Sequence, residues 1–254
     1  MESPLERPII AEPAAPLARP QVVERLAQRR RYEAIAELSA GVAQELRGPL
    51  SSISSAAQLL RFRVKDDPVV EKNVGRILRD VERLNNMATA LLEYGRPAPM
   101  RLETRDPDAV WDRVLEEHRG LLESRALLVR RIRAEAVAQC AVDASQLAQA
   151  FAHLLANAAD AAPEGSDLTL HSDVLQNGAW RCTLHNGGAG IPPDMLARAF
   201  ELFFSTKPAH AGMGLALSQR IIDEHGGTLT LESTPENGTA ATLLIPSAQA
   251  NHPT

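Results

Sequence analysis

From residue 21 the chain carries one long apolar stripe. Ile35, Leu38, Val42, Leu46, Leu50, Ile53, Ala57 and Leu60 follow each other at spacings of 3, 4, 4, 4, 3, 4 and 3. That period belongs to one face of a helix. Gly48-Pro49 interrupts it, and proline inside a helix costs about 3 kcal/mol and kinks it. Lys65-Asp66-Asp67-Pro68 reads as a turn. A second stripe follows, Val70, Val74, Ile77, Val81, Leu84, Ala88 and Leu91, and stops at Gly95-Arg96-Pro97. Two amphipathic helices joined by a short turn form a hairpin. A lone hairpin buries one seam, so the stripes predict pairing with a second hairpin into a four-helix bundle.

Beyond the hairpin the period changes. Residues 107–124, 144–162, 193–203 and 214–225 read as helices. Residues 126–134, 139–142, 168–174, 180–184, 228–232 and 240–245 read as strands, with hairpin turns around Asn177-Gly178 and Asn237-Gly238. The expected fold class is α+β: a dimerising helical hairpin, then a sandwich of a mixed sheet with helices on one face. The expected organisation is a tail over 1–20 with five prolines, the hairpin over 21–97, the α/β domain over 98–246 and a tail over 247–254.

Composition narrows the function classes. The 254 residues carry a net charge of -5, which argues against a basic coat for nucleic acid. Arg29-Arg30-Arg31 reads as a solvated helix face. Cys140 and Cys182 have no metal-ligand spacing and read as buried thiols. No apolar run is long enough for a membrane span, and the N-terminus lacks the pattern of a signal peptide. A cytoplasmic protein is expected.

Glycines cluster twice, at Gly187, Gly188 and Gly190, and at Gly212 and Gly214 before a helix. Glycine permits close backbone approach, and a helix N-terminus favours anions. Two such loops in one small domain suggest a phosphate-bearing ligand, although neither is a P-loop nor a dinucleotide fingerprint.

Five strings then converge. ELSAGVAQELRGPLSSISSAAQLL (37–60) resembles the H box of the sensor histidine kinases, and FAHLLANAADA (151–161) their N box. HNGGAGIPPD (185–194) resembles the G1 box, FELFFSTK (200–207) the F box, and AGMGLALSQRIIDEHGG (211–227) the G2 box. Order and spacing agree over residues 21–246. The resemblance implies a hairpin that dimerises and docks response-regulator receiver domains, and a Bergerat-type domain that binds ATP and Mg2+. It implies transfer of the γ-phosphoryl group to a histidine on the first helix, then to an aspartate of a receiver. It also makes sense of the Gly48-Pro49 pair, because the family kinks just after the acceptor.

Carried over residue by residue, the resemblance places Asn157 as the magnesium ligand, its amide oxygen suiting a hard cation. Gly188 and Gly190 would flank the nucleotide, and Gly212 and Gly214 would cover the phosphates. Lys207 lies in the lid, where it would either reach a phosphate or stay solvated; Phe200, Phe203 and Phe204 read as lid packing. His153 replaces an N-box asparagine one turn before Asn157, either near the phosphates or as a tolerated, partly exposed histidine.

The departures bear most on function. The acceptor histidine should precede Glu45, and that residue is Gln44. An amide nitrogen has a delocalised lone pair and does not accept a phosphoryl group stably. All seven histidines lie at or beyond His118, so the hairpin offers no substitute. Glu45, the family's base, is left with no imidazole; taken alone, Gln44 and Glu45 would read as exposed helix surface. Gly48 stands where the family has a threonine or asparagine that orients a hydrolytic water. Asn186 stands where an aspartate bonds the adenine amino group. A neutral acceptor is worth about 0.5–1.5 kcal/mol against about 1.5–3 for a charged one, so weakened ATP binding is expected.

Three readings are open. The chain binds ATP and phosphorylates a partner hairpin in trans within a heterodimer, its partner through 21–97 being another histidine kinase; pairing through 21–97 as a homodimer is the other expected assembly. Alternatively it is a non-catalytic regulator, a pseudokinase, that sequesters a receiver domain or a partner kinase. In the third, Gln44 replaces by design the histidine of an active kinase. A role for Gln44 in orienting water towards a receiver's phosphoaspartate is a narrower variant.

Overall fold

The computed structural model describes residues 19–64, 67–95, 99–207 and 212–251. Helix α1 (Arg19–Arg63) and helix α2 (Pro68–Gly95) fold back on each other. The Asp67 carboxylate accepts from the amides of Val69 and Val70, which starts α2. Lys65 and Asp66 of the expected turn, and the expected boundary at residue 97, lie outside the described residues.

The single stripe expected on each helix divides. Ala43, Leu50 and Ala57 of α1, seven residues apart, are buried, as are Val74, Val81 and Ala88 of α2. These fill the seam. Val42, Leu46, Ile53 and Leu60 of α1, with Ile77 and Leu84 of α2, are exposed. The hairpin therefore has a second apolar face. The side chains of Ile35 and Leu38 lie outside the description. The first helix is one long element, and α1 runs through Gly48-Pro49. Both residues are exposed, so the carbonyl freed by the proline can turn to water. Burial of Leu50 and Ala57 against α2 holds the following turns.

The second domain begins with β1 (Glu103–Arg105), which the sequence pattern did not suggest, and which pairs with β3 (Cys140–Val142). The expected helix over 107–124 is two, α3 (Pro107–Glu117) and α4 (Arg119–Ser124). They break at His118, whose Nδ1 turns back to the Val114 carbonyl at 2.9 Å. Then come β2 (Leu128–Ile132), α5 (Ala144–Ala161), β4 (Asp167–Val174) and β5 (Trp180–Asn186). Helix α6 (Pro193–Leu196) replaces the helix expected over 193–203. Turns follow it, and Phe203 takes a φ of +65°, which no helix can contain. Helix α7 (Gly214–Glu224), β6 (Thr228–Thr234) and β7 (Gly238–Ile245) complete the domain. Order also extends slightly into both expected tails: α1 starts at Arg19, Ser247 bridges to Cys140, and Ala248–Asn251 form a 3-10 turn.

The main sheet has the order β2-β4-β5-β7-β6; β2 and β4 are parallel and the other pairs antiparallel. It is the expected mixed sheet with helices over one face. Trp111 of α3, Phe151 of α5 and Trp180 of β5 stack through that core, with ring centroids 4.2 Å and 5.9 Å apart. Such pairs add about 0.5–1.5 kcal/mol beyond the area they bury. The end of α2 joins the same core: Tyr94 is buried there under the Arg220 guanidinium, 5.2 Å from its ring.

Strand β5 runs through the middle of this core. Trp180, Cys182, Leu184 and Asn186 alternate as its buried residues. Period two therefore sends Asn186 to the helix side, at the strand's end, among apolar neighbours.

Candidate functional site

Helix α5 packs on β5 and α7 on β6; the two helices pack on each other, and a polar latch ties them together at their far ends. Asp143 caps α5, accepting from the amides of Ser145 and Gln146, and also from that of Arg101. Burial pushes the Asp143 carboxyl up, but the three amides outweigh it and hold the pKa below the usual carboxylate range. The Asp143 amide itself donates to His225 Nε2 at 2.9 Å, and His225 Nδ1 donates to the Ile221 carbonyl at 2.7 Å. This fixes a neutral tautomer at the end of α7.

Burial pushes His225 below its ordinary pKa, against the opposing pull of its hydrogen bonds and of Asp143 and Glu224. The folded state thus stays neutral where the unfolded chain takes up a proton, below about pH 6.5. Stability is level above that pH and falls as pH drops through it, by up to about 1.4 kcal/mol per pH unit for one such histidine. His153 is shifted in the same direction, by burial and then by His118. Urea unfolding between pH 8 and 5.5, followed by tryptophan fluorescence, should show the fall. Both tryptophans lie in this domain, so the signal reports on it alone. His225→Gln should make the fall shallower, leaving the share of His153, and an unchanged slope would assign it elsewhere.

Between α5 and the end of β5 opens a cavity of about 240 Å³. Leu154, Asn157, Ala158 and Ala161 of α5 form one wall, and Leu184 and Asn186 of β5 another. Gly190, Ile191, Leu215 and Thr239 close it. The lining is mostly apolar, with a few polar groups, as small-molecule sites usually are. Asn186 is only 4% exposed, and its Nδ2 has no hydrogen-bond partner among the described residues. A buried amide donor left unpaired costs about 1–3 kcal/mol, which an incoming acceptor would recover.

The glycines shape the rim. A Cβ on Gly188 would overlap the Ala161 carbonyl oxygen and approach Asn186 Nδ2 at 2.9 Å. Gly190 has a φ of +75°, and a Cβ there would lie 2.5 Å from the Thr234 carbonyl. The loop between them is held where the Ile191 amide donates to Ser233 Oγ at 2.8 Å. Gly212 lies against the backbone of Phe203 and Phe204, and Gly214 opens α7 over His153, where a Cβ would meet the ring 3.5 Å from Nδ1.

The structure thus brings Asn157, Asn186 and Gly190 onto one cavity, with Gly188 beside it. His153 packs beneath the first turn of α7, its Nε2 buried with no partner among the described residues. Lys207 turns to α5, its Nζ 3.8 Å from Asp160 Oδ2, and Arg125 approaches the other oxygen at 3.3 Å. Gln44 and Glu45 are exposed on α1, directly after buried Ala43. Sequence reasoning missed Asp160 and Thr239. Thr239 faces Asn186 across the β5–β7 pairing, a register that could be found only by aligning the two strands. Among the described residues no three histidine, cysteine or acidic side chains converge on a metal site, and no helix is long and apolar enough to cross a membrane.

Comparison with known proteins agrees with this geometry. Residues 34–98 match the His Kinase A (phospho-acceptor) domain. Residues 142–249 match the histidine kinase-, DNA gyrase B- and HSP90-like ATPase family. The sensor histidine kinase ZraS of Klebsiella oxytoca is 31% identical over 229 residues, 90% of this chain and 50% of ZraS. The signal transduction histidine-protein kinase AtoS of Escherichia coli K12 is 29% identical, over 90% of this chain and 38% of AtoS. The chain spans about half the length, or less, of these curated relatives. Among solved structures, the histidine kinase ThkA in complex with the response regulator TrrA superposes with a TM-score of 0.67 at 23% identity, over 91% of this chain and 67% of that one. The mycobacterial sensor histidine kinase MprB gives 0.52 at 28% identity, over 58% of this chain and 98% of its own.

Proposed function

The chain carries the core of a two-component sensor histidine kinase, and from that premise we propose that it binds Mg-ATP yet does not phosphorylate its own hairpin. The observation that carries this reading is the cavity wall that presents Asn157 and buried Asn186 together. Its apolar lining suits a purine base, and the unpaired Asn186 amide suits a hydrogen bond at the base's edge. Gly188 and Gly190 let the backbone come close. The N-terminus of α7 at Gly214 favours phosphate. Asn157 offers one amide oxygen to magnesium, which ordinarily completes its shell with phosphate oxygens and water. When bound, Mg-ATP supplies an activated γ-phosphoryl group.

The residues of the hairpin decide where that group can go. Gln44 has no free lone pair on nitrogen and cannot take it. Glu45 can accept a proton but faces no imidazole, and Gly48 has no side chain with which to orient a water. Transfer in trans remains. The exposed face of Val42, Leu46, Ile53, Leu60, Ile77 and Leu84 would bury against a second hairpin, and a histidine on that partner would accept. A receiver domain would then take the phosphoryl group, as the pairing of ThkA with TrrA suggests.

Incubation with labelled Mg-ATP tests this. The chain alone should stay unlabelled. A histidine kinase hairpin from the same cell, stripped of its own ATP-binding domain, should become labelled on mixing. Label on this chain alone would overturn the assignment of Gln44. Nucleotide binding with no transfer to any hairpin would favour the regulator that sequesters its partner.

A further inference from the structure

Asn186 differs from a carboxylate in more than strength. A carboxylate only accepts hydrogen bonds, whereas an amide presents one accepting oxygen and one donating nitrogen side by side. The structure puts that pair where the cavity meets the end of β5, with the side chain 4% exposed. Nδ2 has no partner among the described residues, so turning the amide over about its own axis breaks no hydrogen bond at that atom. Gly188 leaves room beside it, since a Cβ there would sit 2.9 Å from Nδ2.

We propose that Asn186 makes the nucleotide site indifferent to the group at purine position 6, so that 6-oxo purine triphosphates are ligands alongside ATP. This rests on the reading of the cavity as a nucleotide site. The edge of adenine presents an amino donor at position 6 and an acceptor at N1. The Asn186 oxygen meets the first, and Nδ2, now buried, meets the second once the side chain turns towards the cavity. The edge of hypoxanthine presents the reverse, a carbonyl acceptor at position 6 and an N1–H donor. The same amide, turned over, meets both again. A carboxylate at this position would set oxygen against oxygen at position 6 and would select for adenine by that repulsion. Discrimination of this kind comes from leaving a buried polar group unpaired, and Asn186 leaves none unpaired with either base.

The experiment is calorimetric titration of the whole chain with Mg-ATP and, separately, Mg-ITP. These two differ only at position 6 and in the proton on N1. The expected result is an ITP affinity no more than fivefold below that for ATP. Asn186→Asp should shift the ratio at least tenfold towards ATP. A wild-type preference for ATP beyond fivefold overturns the inference and leaves the nucleotide reading standing. Binding of neither nucleotide overturns that reading and this one with it. An Asn186→Asp ratio equal to wild type overturns the assignment to this side chain. If that variant does not fold, the wild-type ratio still decides.

Discussion

Gln44→His should turn an unlabelled chain into one that labels itself with the γ-phosphoryl group of ATP. The position is exposed on α1, so an imidazole fits there without repacking, and Glu45 already stands beside it to hold the Nδ1 proton. The substitution restores a nitrogen lone pair that the amide lacks. Removal of an enzyme's nucleophile can cost several orders of magnitude in rate, so its return should raise labelling by roughly a thousandfold or more. The product would be a phosphoramidate, lost in acid and kept in base, which distinguishes it from a phosphoester. At subsaturating nucleotide the rate should stay below that of an intact kinase, because Asn186 offers adenine a neutral acceptor in place of a carboxylate. The measurement is incorporation of label from Mg-ATP into the purified wild type and variant at equal nucleotide occupancy. A Gln44→His chain that binds nucleotide and stays unlabelled would show that the α/β domain no longer delivers the phosphoryl group at all.

The parts of this molecule that were legible in its sequence are those set by short-range rules. The stripe that ends at Leu91 follows from a 3.6-residue period, and the buried alternation from Trp180 to Asn186 from a period of two. Asp143 before α5 is an ordinary cap. What could not be read depends on partners distant in sequence. The division of α1 into a seam at Ala43, Leu50 and Ala57 and an outward face at Val42, Leu46 and Ile53 is decided by where α2 lies. β1 exists only because β3 offers it a partner, and its own three residues, Glu103–Arg105, are exposed and polar. The helix expected over 193–203 fails for a related reason. Phe203 takes a positive φ where the backbone of Phe203 and Phe204 packs against Gly212, a residue distant in sequence. At the site, the residue types at Asn157 and Asn186 were visible. Their shared cavity, and the turn of Lys207 towards Asp160, were not.

Asn157→Ala should remove most magnesium-dependent nucleotide affinity without weakening the fold. Asn157 is partly buried on α5, where it lines the cavity wall between Leu154 and Ala158. Alanine is the better helix former by about 0.5 kcal/mol, and no hydrogen bond that holds the domain together runs through this side chain among those described. Thermal unfolding should therefore be unchanged or slightly raised, which separates a binding defect from a folding one. The loss should appear only with the metal. An oxygen ligand removed from a magnesium shell costs at least what loss of an outer-shell partner costs, roughly 10–100-fold in affinity. The base edge at Asn186 and the helix end at Gly214 act on the nucleotide itself and remain. Calorimetric titration with ATP in magnesium and in EDTA should thus show a wild-type gap between the two conditions that closes in the variant. A variant that keeps the full magnesium effect would move the cation away from α5. A wild type with no such effect would mean that Asn157 holds no metal, and that the cavity binds its nucleotide through the base and the backbone alone.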